Sequence, residues 1–152
     1  MKRGISFEIP NQYGKFLGEI VSPLDVASFN WGIDGESYTV EKGEIKEPLL
    51  PDEIMDGSAL SERVKNNFYY CIFADLKAFP KDKQIKEINT YDEFLKSDCQ
   101  VVLLLVDCSF VTIYCKDSST LELLYGHAKS HGFDGLEYVT EENDKRISLS
   151  VW

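Results

Sequence analysis

Apolar and polar positions alternate from Gly4 to Ile9, with Ile5, Phe7 and Ile9 on one side and Ser6 and Glu8 on the other. That is the period of a half-buried strand. Pro10 ends it. Asn11 then caps a helix predicted over Gln12 to Val21, where Tyr13, Phe16, Leu17 and Ile20 fall at helical spacing. Phe29 to Ile33 and Glu36 to Glu41 read as two strands around Asp34-Gly35, a dipeptide suited to two-residue hairpin turns, whose central positions need positive φ. Lys42 to Asp56 carries Pro48 and Pro51 among many acids and reads as a long loop, a kind of segment that tends to be functional or mobile.

A helix follows from Ser58 to Asn66, with Leu60 and Val64 turned inward, and then a long strand from Phe68 to Phe79, ended by Pro80. Gln84 to Ile88 completes a second predicted hairpin. Thr90-Tyr91-Asp92-Glu93 is a capping box, and the helix it opens runs to Ser97. Val101 to Val106 is apolar at every position, as expected of a central strand covered on both faces. The turn Asp107-Cys108-Ser109 leads into Phe110 to Cys115. Ser119-Thr120-Leu121-Glu122 is a second capping box, before a helix whose Leu121, Leu124, Tyr125 and Ala128 form one stripe. That helix ends at His131, with Gly132 in the usual position just beyond. Leu136 to Thr140 and Ile147 to Val151 read as a last hairpin, with Trp152 packed behind it. Capped helix followed by hairpin thus occurs twice, a faint sign of internal duplication. The expected architecture is a single α+β domain, residues 1–152, with a mostly antiparallel, hairpin-built sheet and three or four helices packed on it.

Composition narrows the function classes. Sixteen basic residues against 26 acidic give a net charge of −10, a field that opposes a phosphate backbone and argues against nucleic-acid binding. The longest uninterrupted apolar run, Val101 to Val106, is far short of the ~20 residues a membrane span needs. Nine Phe, eight Tyr and two Trp are enough to build a core. Cys71, Cys99, Cys108 and Cys115 lie mostly in strand-like runs, where reduced cysteine acts as a small hydrophobe. No signal peptide is visible before the first predicted strand, so the expected setting is a reducing cytoplasm. Monomer and homodimer are not distinguished at this level.

Lys2-Arg3-Gly4-Ile5-Ser6-Phe7-Glu8-Ile9-Pro10 and Phe73-Ala74-Asp75-Leu76-Lys77-Ala78-Phe79-Pro80 carry a likeness that Thr112-Ile113-Tyr114-Cys115-Lys116-Asp117 and Ser148-Leu149-Ser150-Val151-Trp152 extend across the chain. Together they resemble a domain-of-unknown-function family of small acidic proteins from Bacillus-type bacteria. The resemblance implies a bacterial, intracellular protein of one domain. It implies no activity and carries over no catalytic residue.

Candidate chemistry is thin. His127 and His131 stand at i, i+4 on one helix, a spacing that puts two imidazoles on the same side, as zinc sites often require. Ala128 stands where the zinc-protease motif has its glutamate, so a third ligand would come from Cys115 or Asp134. The plainer account is two surface histidines favoured by a helix C-terminus. Cys115 or Cys108 could serve as a nucleophile if a histidine base and Asp107 lay beside it; against this stands the usual role of buried cysteine. Asp75 interrupts an apolar strand and on a buried face demands a partner, with Arg3, Lys77 and Arg146 as candidates. Asp75 and Asp107 could also form an acid pair near strand ends. Phosphate-binding glycine loops and Cys-x-x-Cys pairs are missing, and no cofactor is expected.

The acids Asp34, Glu36, Glu41, Glu44, Glu47, Asp52, Glu53 and Asp56 face only Lys42 and Lys46, a local net of −6. They form either a solvated loop or a docking face for a basic protein partner. The reading with most support is a small binding protein without catalytic activity. The alternatives are a cysteine- or histidine-dependent hydrolase or transferase and, behind it, a nucleic-acid mimic.

Overall fold

The computed structural model describes residues 1–152 and shows one antiparallel sheet with helices on it, the α+β arrangement expected. The strands are β1 (Lys2–Glu8), β2 (Phe29–Glu41), β3 (Glu44–Pro48), β4 (Ile54–Asp56), β5 (Tyr69–Pro80), β6 (Val101–Val106), β7 (Phe110–Cys115) and β8 (Asp134–Thr140). Their order across the sheet is β3-β2-β5-β6-β7-β1-β8, with β4 pairing with the first half of β2. The helices are α1 (Phe16–Val21), α2 (Gly57–Asn66), α3 (Tyr91–Lys96) and α4 (Ser118–Ser130).

Register assigns every sheet residue to a face. Trp31, Ala78, Val101 and Cys115 form one transverse row, and Ile33, Leu76, Leu103, Ile113 and Ile5 form the next. These rows pack under α1, α2 and α4, through Leu17, Ile20, Leu60, Val64, Leu121 and Leu124, and form the main core. The Tyr69 hydroxyl ties the layers together by donating to the Val64 carbonyl (2.8 Å) and accepting from the Gly18 amide (3.0 Å). On the opposite face Phe79, Val102, Leu104 and Tyr114 meet Ile88, Phe94, Cys99 and Leu149 in a second, smaller core. Buried from both sides, β6 is the central strand its uniform apolarity predicts.

Several expected elements differ. Asp34-Gly35 is not a turn: β2 runs unbroken through it, with Asp34 opposite Asp75 and Gly35 opposite Ala74. Gly35 has φ +120°, and a Cβ there would lie 2.3 Å from the Phe73 carbonyl oxygen, so glycine serves a close strand approach beside an irregularity at Glu36/Ser37. The hairpin turn is at Lys42-Gly43, both with positive φ. The segment expected to be a loop therefore contains β3 and β4. Gln84 to Ile88 and Ile147 to Val151 form no strands, and Ile147 is almost fully exposed. β8 pairs with β1 instead of with the C-terminal segment, so the second helix-plus-hairpin unit is incomplete and the duplication has no structural counterpart.

Helix ends follow local chemistry. Thr90 caps α3 by accepting from the Glu93 amide, as its box predicts. For α4 the cap is Asp117, which accepts from the Thr120 amide and lies ahead of the box expected at Ser119. α1 begins only at Phe16, because Gly14 bonds across to Tyr69 and takes that backbone out of the helix. The C-terminal segment is clasped by Asp144, which binds Arg3 and accepts from the Tyr114 hydroxyl, each at 3.1 Å. Trp152 stays largely exposed while its ring lies 5.1 Å from that of Phe73.

Candidate functional site

The second face of the sheet is incompletely covered on the β2 side, and two adjoining hollows open there. Both follow from the register: Asp34 and Asp75 are directly opposed, while Glu36 faces Phe73 and Gly32 faces Lys77. After β3 the chain folds back along β2. The Leu49 amide donates to the Ser37 carbonyl (3.0 Å), and the Ile33 amide donates to the Glu53 carbonyl (2.8 Å). Arg63 of α2 holds this return by donating to the carbonyls of Leu49 (2.8 Å) and Pro48 (3.1 Å).

The first hollow, about 250 Å³, is bounded by β2 and this returning segment. Asp34, Glu36, Asp52 and Glu53 line it and no basic side chain does, while Leu50, Ile33 and Phe73 supply apolar wall. The Tyr38 hydroxyl donates to Glu36 (3.0 Å), and that bond to a carboxylate holds the phenol proton above its ordinary pKa. The second hollow, about 440 Å³, shares Asp34 and Glu53 and reaches under the segment before α3, where Lys86 and Glu87 join. Asp75 and Lys77 line it from β5. Two apart on one strand, they share a face and form a buried ion pair at 2.5 Å. Of the partners expected for Asp75, Lys77 is the one found. Arg3 instead binds Asp144, and Arg146 donates to the Ser150 carbonyl.

The remaining acids of the segment, Glu41, Glu44 and Glu47, stand exposed on the β2–β3 hairpin. Lys46 pairs with Glu44 (3.1 Å) and Arg63 with Glu47 (3.6 Å). Asp56 is bound to Lys81 (2.9 Å), which holds its carboxyl below the usual range.

The catalytic candidates do not converge. Asp107 sits in the β6–β7 turn and Cys115 at the far end of β7. Burial pushes the Cys115 thiol up to about 11, so it is protonated at neutral pH, the opposite of what a nucleophile needs. Asp75 is paired on the second face, away from Asp107, and the proposed acid pair does not form. His127 and His131 lie in a groove between α1, α2 and α4 that neither Cys115 nor Asp134 lines. No three His, Cys, Asp or Glu side chains gather as metal ligands. Among the aromatics of β5, Tyr69 and Phe79 fill the two cores, whereas Phe73 walls the acidic hollow.

The whole length of the chain can be set against known proteins. The family model described as "Protein of unknown function (DUF2691)" matches residues 2–150. The chain belongs to this family. It is 48% identical over 153 residues to the "Uncharacterized protein YncE" of Bacillus subtilis strain 168, covering 99% of this chain and 100% of that protein. The resemblance drawn from the sequence is therefore correct: a Bacillus-type family. No solved structure matches it significantly. No helix is long and apolar enough to cross a membrane.

Sequence reasoning had the acids but missed the hollow. Its walls come from β2, the 48–53 return and Phe73, and the return was expected to be an open loop. One signal was available for the adjoining second hollow: Asp75 and Lys77 at i, i+2 on a strand belong to the same face, which marks a polar patch there.

Proposed function

We propose that the protein is a non-catalytic binding protein of the reducing cytoplasm, and that its acidic β2–β3–β4 side docks a basic surface on another protein. The observation that carries this reading is the first hollow, which four carboxylates line and no cation enters. Its ~250 Å³ and its apolar wall at Phe73 and Leu50 suit the stem and charged head of a lysine or arginine side chain. Glu41, Glu44 and Glu47 extend the same negative field along the hairpin and would steer a basic partner toward it. Four unpaired cysteines accord with a reducing compartment.

Pull-down from bacterial extract at low and high salt tests the reading. Wild type should retain a basic partner that salt releases, and the double variant Glu36→Gln, Glu53→Gln should lose it. Retention by that variant, or indifference to salt, would contradict the proposal.

A further inference from the structure

The second hollow differs in charge from the first, and docking of a basic surface leaves that difference unused. Apart from Ile33, Asp34 and Glu53, which both hollows share, its charged residues are Asp75 and Glu87 against Lys77 and Lys86, a balance of signs. At about 440 Å³ it falls within the roughly 300–1,000 Å³ usual for small-molecule sites. Ile54, Phe79, Ile85 and Ile88 supply its apolar wall.

The register explains why space is left here. Lys77 stands between Val102 of β6 and Gly32 of β2, and Asp75 between Leu104 and Asp34. Gly32 has no side chain to fill the place beside Lys77; a Cβ there would come 3.3 Å from Ile85 Cγ2. The segment that carries Ile85 is anchored by Ile88, buried in the second core, and by the Asn89 carbonyl, which accepts from the Leu149 amide (3.0 Å).

The Asp75–Lys77 pair also has hydrogen-bonding capacity to spare. An ammonium has three protons to donate and a carboxylate two accepting oxygens. Here one bond joins them, from Lys77 Nζ to Asp75 Oδ1, and no other protein group bonds to either. Two ammonium protons and Asp75 Oδ2 are thus uncommitted, on side chains only 13% and 5% exposed. A buried pair is favourable when such remaining sites are met. Carboxylate and ammonium side by side, as in the head of an amino acid, would meet both: the carboxylate on Lys77, the ammonium on Asp75.

We propose that the second hollow binds a free α-amino acid with an aliphatic side chain, its head on Asp75 and Lys77 and its side chain against Ile54 and Ile85. Lys86 adds positive charge for the carboxylate, and Asp34, opposite Asp75, adds negative charge for the ammonium. The site does not depend on docking at the first hollow: Glu36 lines only that hollow, and Lys77 lines only this one.

The test is a ¹⁵N-resolved NMR titration of the full chain with L-leucine near pH 7, alongside 3-methylbutylamine, which lacks the carboxylate, and 4-methylpentanoate, which lacks the ammonium. Leucine should shift the amides of Gly32, Lys77, Ile85 and Asn89 saturably, and each analogue should bind at least tenfold more weakly. The double variant Asp75→Asn, Lys77→Met, whose amide spectrum reports that it is folded, should lose the leucine response. Equal binding of either analogue would overturn the site, as would full leucine binding by the double variant. So would the absence of saturable shifts up to millimolar leucine.

Discussion

Asp75 and Lys77 illustrate how one pair of residues sets the character of the second sheet face. Each is mostly withdrawn from water, and each satisfies the other. Removing one partner strands a buried charge, which costs far more than the pair contributes. Lys77→Met should therefore lower stability by about 3 kcal/mol in urea unfolding, whereas Asp75→Asn together with Lys77→Met should recover a large part of that loss. Equal losses in the single and double variants would contradict the pairing. The thiols make a second residue-scale prediction. Burial pushes Cys71 and Cys99 up to about 12 and Cys115 to about 11, from an ordinary value of 9.0. A folded-state value above the unfolded one leaves stability intact below pH 9 and removes it as pH rises toward the folded value. Each thiol should subtract about 1.4 kcal/mol per pH unit over that window. Urea midpoints should thus be level to pH 9 and fall steeply from 9 to 11; a flat profile would contradict thiol burial. At pH 7.5 a disulfide reagent should label the half-buried Cys108 rapidly and the other three only on unfolding.

Among the elements, the β2–β3 hairpin is the most informative, because Gly35 within β2 and Gly43 in the turn after it have exchanged the roles their neighbours suggest. Gly35, next to an aspartate, sits mid-strand against the Phe73 carbonyl; Gly43, after a lysine, makes the turn with nothing near its missing Cβ. Gly35→Ala should cost about 2 kcal/mol or more, while Gly43→Asn should change thermal stability little, asparagine tolerating positive φ. The reverse ranking would restore the turn at Asp34-Gly35. The same contrast shows how far the sequence is legible. The β6 run, the stripe of α4 and the Thr90 cap report on themselves, since their determinants are local. β3 and β4 do not: short, charged and at the sheet edge, they are held by pairing with β2 and by Arg63 reaching from α2. The reverse error occurs at Ile147 to Val151, whose strand-like alternation is used instead to lay Leu149 into the second core, its amide donating to the Asn89 carbonyl (3.0 Å), with no ladder formed. The candidate site was half legible. Its acids were evident, while the hollow depends on a chain return that only long-range pairing creates.

At the scale of the whole molecule, charge and cover are unevenly distributed. Three helices seal one face of the sheet, while the smaller layer of α3 and the C-terminal segment leaves the β2 side open, and there the acids collect. The candidate catalytic residues are dispersed over separate turns, strand ends and a helix groove. The protein thus offers a negatively charged recess on a rigid sheet. The most direct test of that account is a ¹⁵N-resolved NMR titration of the full chain with a short arginine-containing peptide at low salt. The account predicts the largest shifts at the amides of Gly35, Glu36, Asp52 and Glu53, abolished by salt. Shifts centred on α4 or β8, or none below millimolar peptide, would contradict it.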